Sequence, residues 1–71
     1  MNLTEKIQFL VALINEFAQR HGITDAEAAK YMNRYGAIAL CEKHYGYLHT
    51  QSFESNVSDV TTFCRRKGGK L

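Results

Sequence analysis

Gly22-Ile23-Thr24-Asp25-Ala26-Glu27-Ala28 is the stretch that divides the chain. Thr24 and Glu27 stand at the spacing of a capping box, in which the threonine oxygen accepts from the Glu27 amide and the glutamate reaches back to the Thr24 amide. Ile23 and Ala28 occupy the positions of a hydrophobic staple across the same turn. Gly22 suits the left-handed stop of a preceding helix. The segment therefore ends one helix and begins another.

Upstream, a first helix is predicted from about Leu3 to His21, with Asn2 as N-cap and Glu5 three residues later. Leu3, Ile7, Leu10, Ile14 and Phe17 follow a 4-3-4-3 rhythm, one stripe of the helical period. Val11 and Ala18 widen it on one side, Leu13 and Phe9 on the other. The apolar arc then reaches ~200°, about twice what a surface helix needs. Such a helix is either central or buries a second face against another chain.

Downstream, a second helix continues through Tyr35 and stops at Gly36, with Ala28, Tyr31, Met32 and Tyr35 on its apolar side. A third is predicted over about Ala37 to Tyr45, stopped by Gly46, with Ile38, Leu40, Cys41 and Tyr45 inward. After the corner Tyr45–Gln51, Ser55 or Asn56 can cap a fourth, whose face is Val57, Val60, Phe63 and Cys64 and whose end is Gly68-Gly69. There is no proline, no sustained strand-like alternation and no internal repeat. The expected fold is all-α: a compact bundle of four short helices with helix 1 central and helices 2 and 3 helix-turn-helix-like in outline. Residues 1–67 form the single domain and 68–71 a flexible tail. At 71 residues a stability of roughly 3–5 kcal/mol is expected, so single core contacts matter.

The net charge of +2 hides an asymmetry. Arg65, Arg66, Lys67 and Lys70 lie in the last seven residues, whereas the rest carries five basic residues against seven acids. Nucleic-acid binders draw most of their affinity from a basic face. Here the excess is a tail, and the third helix offers only Glu42, Lys43 and His44 as long polar side chains. A small DNA-binding transcriptional regulator is thus the alternative reading, and nucleic acid is not the expected partner. No apolar run approaches the ~18 residues of a membrane span. The N-terminal segment has no export signal, so a cytoplasmic, reducing location with two free thiols is expected.

Four residues could hold zinc: Cys41, His44, His49 and Cys64. Cys41 and His44 lie three apart on a helix, but the remaining spacing fits no finger pattern, and cysteines that pack as small apolar residues account for the pattern equally. Cys41 with His44 or His49 could make a nucleophile pair only with an exposed, low-pKa thiol. No phosphate-cradling glycine loop and no suggestive carboxylate pair is present. The sequence therefore predicts no enzyme, no cofactor and no metal.

The densest cluster of chemistry is Tyr45-Gly46-Tyr47-Leu48-His49-Thr50-Gln51. Leu48 suits a core plug, while His49 and Thr50 can satisfy backbone groups freed where the third helix ends. Gln51 is the residue expected to be most free to face a partner. Tyr45, Tyr47, Leu48, His49, Thr50 and Gln51 are the candidate signature or interaction residues. Of the tyrosines, Tyr35 and Tyr45 are assigned to the core, and Tyr31 and Tyr47 to either core or surface.

Tyr35-Gly36, Tyr45, Leu48-His49-Thr50-Gln51 and Asp59-Val60 together resemble the signature of a family of small bacterial domains of unknown function. The likeness spans the helix of Phe9–Phe17 through Phe63, and Leu-His-Thr-Gln is its most specific part. Ser52 stands where the family usually has glycine. The resemblance implies a neighbouring gene for a larger protein similar to ADP-ribosyltransferase-type toxins, and hence an antitoxin-like or accessory role. It supplies no catalytic residue. The function expected is a non-enzymatic protein-interaction module with a protein partner, homo-oligomerisation being compatible with it.

Overall fold

The computed structural model describes residues 3–71. Among them are five helices: α1 Leu3–His21, α2 Asp25–Arg34, α3 Ala37–Lys43, α4 Tyr45–Leu48 and α5 Phe53–Arg66. The proposed Asn2 cap lies outside the described residues. α1 touches α2, α3 and α5, and the others pack around it.

The turn after α1 forms as its residues dictate. Gly22 has φ +66°, Thr24 Oγ1 accepts from the Glu27 amide at 3.1 Å, and Glu27 Oε1 accepts from the Thr24 amide at 2.9 Å. Gly36, at φ +81°, separates α2 from α3 in a left-handed conformation that costs a residue with a Cβ roughly 1–2 kcal/mol.

The helix count differs from the expected four because the third helix breaks at His44. A separate short helix, α4, follows, and Gly46 sits inside it instead of ending α3. The start of the last helix also moves. Ser52, not Ser55 or Asn56, is its N-cap, accepting from the Ser55 amide at 3.1 Å. Serine is a strong cap because its oxygen takes an otherwise unpaired amide of the first turn. That gives Ser52 a positive role at the position where glycine was expected.

The core joins Leu13, Phe17 and Ala18 of α1 to Ala28 and Met32 of α2, Ala37 and Cys41 of α3, Leu48 of α4, and Val57, Val60 and Cys64 of α5. The stripe expected to lie at the centre of α1 is only partly used. Phe17 is buried and Leu10 and Ile14 are half-buried, but Leu3, Ile7 and Val11 are 72%, 51% and 61% exposed. The way α2 crosses α1 explains this, since the first and seventh residues of α2 both meet the same turn of α1. α2 meets α1 near Asn15, whose Nδ2 donates to Asp25, and near Phe17, which packs on Tyr31 at 5.8 Å. The side of α1 that holds buried Ala18 is therefore left bare further up, at Val11 and Ile7.

Residues 68–71, expected to trail as a flexible tail, fold back over α2. The Gly69 amide donates to Cys64 O, and the Leu71 amide donates to Tyr31 Oη at 3.1 Å. A Cβ on Gly69 would come within 2.1 Å of Tyr31 Oη, so only glycine admits this approach. Leu71 itself packs against the core.

Candidate functional site

The corner after α3 is a hydrogen-bonded clasp centred on a buried amide. Asn56, one turn into α5, is fully buried. Its Nδ2 donates to Leu48 O at 2.9 Å, and its Oδ1 accepts from Gln51 Nε2 at 2.8 Å. The same Gln51 nitrogen donates to Asp59 Oδ2 at 3.3 Å, and Gln51 Oε1 accepts from Tyr47 Oη at 3.2 Å. An amide side chain suits each place because one end must donate and the other accept. The chain Tyr47–Gln51–Asn56–Leu48 leaves no buried side-chain polar atom unpartnered among the described residues.

The other corner residues terminate α4. Thr50 Oγ1 donates to Tyr47 O at 2.6 Å. His49 Nδ1 lies 3.0 Å from Tyr45 O, and since a carbonyl only accepts, that nitrogen carries the proton. The His49 ring also stacks on Tyr45 at 4.9 Å and 16°. Tyr45 meets Phe9 of α1 edge-on at 5.3 Å, and Phe9 in turn stacks on Phe53 at 5.7 Å. Leu48 is buried below them.

The six candidate residues are thus brought together, but mainly with one another. Leu48 is the core plug expected, and Tyr45 is buried. Gln51 is a correction: it is half-buried, with its amide committed at both ends, so it is not the free side chain. Tyr47, His49 and Thr50 are exposed, and Tyr47, at 64%, is the large apolar one among them. Asn56 escaped the sequence reading as a site residue. The available signal was an Asn and an Asp five and eight residues after Gln51, one helical turn apart on one face of α5. Tyr31 and Tyr35 are half-buried against the core and meet edge-on, with ring centroids 4.9 Å apart.

Cys41 and Cys64 are unbridged and buried, while His44 and His49 are exposed. Among the described residues no three His, Cys, Asp or Glu side chains gather as a metal site would need. Burial, with a smaller contribution from Cys64, pushes the Cys41 thiol up to about 11. That direction is opposite to the one that activates a nucleophilic cysteine.

Two surface features remain. The first is the bare apolar line Leu3–Ile7–Val11, whose i, i+4, i+8 spacing keeps it on one side of α1. The second is a groove between the last turn of α1 and α5, described below. No helix among the described residues is long and apolar enough to cross a membrane. In comparison with known proteins, the family described as a protein of unknown function, DUF3791, matches residues 8–67. No curated protein and no solved structure matches the chain.

Proposed function

Because the chain belongs to the DUF3791 family of proteins of unknown function, its surface must carry the argument, and we propose that it is a cytoplasmic, non-enzymatic protein-interaction module. Its partner on this reading is a larger toxin-like protein, toward which it acts as an antitoxin-like or accessory subunit. The observation that supports this is the exposure of Leu3, Ile7 and Val11 on one line of a helix whose other apolar residues are buried or half-buried. A helix offering anchors at such spacing is a recurring peptide-in-groove ligand. The occupant is therefore a protein with an apolar groove wide enough for one helix. Tyr47 stands at the neighbouring corner, joined to α1 through the Phe9–Tyr45 contact, and adds the residue type favoured in interfaces. Buried, unbridged thiols suit a reducing compartment.

The DNA-binding alternative gains less support. A recognition helix reads bases mainly from its first turns. The first three residues of α3 are Ala37, buried, Ile38, half-buried, and Ala39, exposed but without a hydrogen-bonding side chain.

Co-expression with the adjacent gene product, followed by size-exclusion chromatography, tests the reading. A complex that I7E abolishes is expected, with I7E stability within ~0.5 kcal/mol of wild type because the site is exposed. No complex and no effect on that product's toxicity would overturn it. So would a homodimer, seen by light scattering and broken by I7E, that occupies the stripe to the exclusion of any other protein.

A further inference from the structure

The groove between α1 and α5 is lined by Arg20, His21, Ser58, Thr61, Thr62 and Arg65 and measures about 380 Å³. Ser58, Thr61, Thr62 and Arg65 share one face of α5, at helical spacings of three and four. The last turn of α1 brings two more nitrogen-bearing side chains against that face. Every lining residue carries a hydrogen-bond donor, and none carries a carboxylate. His21 Nε2 lies 2.9 Å from Thr61 Oγ1, which holds the ring in the groove wall. Arg20 reaches Ser58 Oγ and Glu54 O only at 3.5 Å each, the outer limit of a hydrogen bond, so its guanidinium is poorly satisfied by the protein. Arg65 spends its Nε on Leu71 O, leaving its terminal nitrogens. Burial first, and then the neighbouring Arg20 and Arg65, hold the His21 pKa below its ordinary value.

A second hollow, of about 580 Å³, adjoins it and shares Arg20 and Ser58. It is of the opposite character, lined further by Glu16, Gln19, Phe53 and Glu54. Carboxylates and an amide beside a ring face accept hydroxyl protons and repel a second anion. The pair of hollows is therefore polarised: donors at the Arg65 end, acceptors at the Glu16 end, Arg20 between them. The C-terminal ends of α1 and α5 both oppose an anion here, but each terminus is worth only about half a charge, and two guanidinium groups outweigh the pair.

From this arrangement we propose that the groove binds the phosphate group of a small phosphate monoester, whose hydroxyl-bearing part lies in the adjoining hollow. Arg20 and Arg65 contact the phosphate oxygens as charge-assisted donors, the planar fork of arginine being suited to that geometry. Thr61, Thr62 and Ser58 complete the shell with hydroxyl donors. Glu16, Gln19 and Glu54 accept from the hydroxyls of the ester. The site lies on a different part of the molecule from the Leu3–Ile7–Val11 line, and it stands or falls without it.

The test is an amide-resolved NMR titration of the intact chain with ribose 5-phosphate, with ribose and potassium chloride at matched ionic strength as controls. Saturable shifts are expected at Arg20, His21, Thr61, Thr62 and Arg65, together with a second set at Gln19 and Glu54. Inorganic phosphate should move the first set alone and bind more weakly. R20Q should weaken ribose 5-phosphate binding by tenfold or more, and R65Q likewise, with circular dichroism showing each variant folded. I7E should bind as wild type does. Shifts that potassium chloride reproduces, or that survive both arginine substitutions, would overturn the proposal. Equal binding of phosphate and its ester would overturn the role given to the second hollow.

Discussion

Asn56→Ala is the substitution that most directly weighs the clasp. Asn56 is fully buried and makes two side-chain hydrogen bonds, to Leu48 O at 2.9 Å and from Gln51 Nε2 at 2.8 Å. Each is worth about 1 kcal/mol net, and the void left by the amide adds a fraction more. Leu48 O keeps a second donor in the Gln51 amide at 3.1 Å, and Gln51 Nε2 keeps Asp59, so neither is orphaned. The expected loss is therefore about 2–3 kcal/mol, not the larger cost of a stranded buried polar group. For a domain of this size each kcal/mol moves Tm by roughly 4–8 °C, so N56A should melt about 10–20 °C lower. Thermal and urea unfolding by circular dichroism measure it. The cycle with Q51A adds a sharper reading. Q51A strips the Asn56 oxygen of its donor, so the double variant should lose less than the sum of the singles, by about 0.5 kcal/mol or more. A Tm within ~3 °C of wild type for N56A, or strict additivity in the cycle, would refute the clasp as an energetic unit.

His49→Ala should lower Tm by only several degrees, about 0.5–1 kcal/mol, because Tyr45 O keeps the His49 backbone amide when the ring is lost. Thr24→Ala removes the cap of α2 and should cost about 1 kcal/mol in urea unfolding. Cys41 predicts an alkaline limit. In the unfolded chain its thiol ionises near 9.0, in the fold at about 11, so the native state holds the proton longer. Its contribution is complete below pH 9 and is lost as the pH rises toward 11. Wild type should therefore destabilise across that window more steeply than C41V, with Tm against pH as the readout.

Helix boundaries around Gly22–Ala28 were legible because they rest on short-range chemistry, a cap and a glycine, that acts within four residues. The start of α5 was not placed correctly. Ser52, Ser55 and Asn56 are all good caps, and only the burial of Asn56 under Leu48 removes it from contention. α4 was missed because Gly46 reads as a stop, whereas the chain passes through it with Tyr45 and Leu48 anchored in the core on either side. The wide apolar arc of α1 follows from periodicity, but which part of it is covered depends on where short α2 crosses. Gln51 illustrates the same limit at the candidate site: its chemistry was visible, and its partners on α5 were not.

The clasp also bears on how the chain reaches its fold. Leu48 and Asn56, like Gln51 and Asp59, are eight residues apart, whereas the α1–α5 contacts Arg20–Ser58 and His21–Thr61 span 38 and 40. The entropy of closing a loop grows with its length, so the corner can assemble while the two ends of the molecule are still independent. With no proline in the chain, no slow peptide isomerisation competes with that order. If the corner is formed at the folding barrier, N56A slows folding, whereas substitutions in the α1–α5 seam mainly speed unfolding.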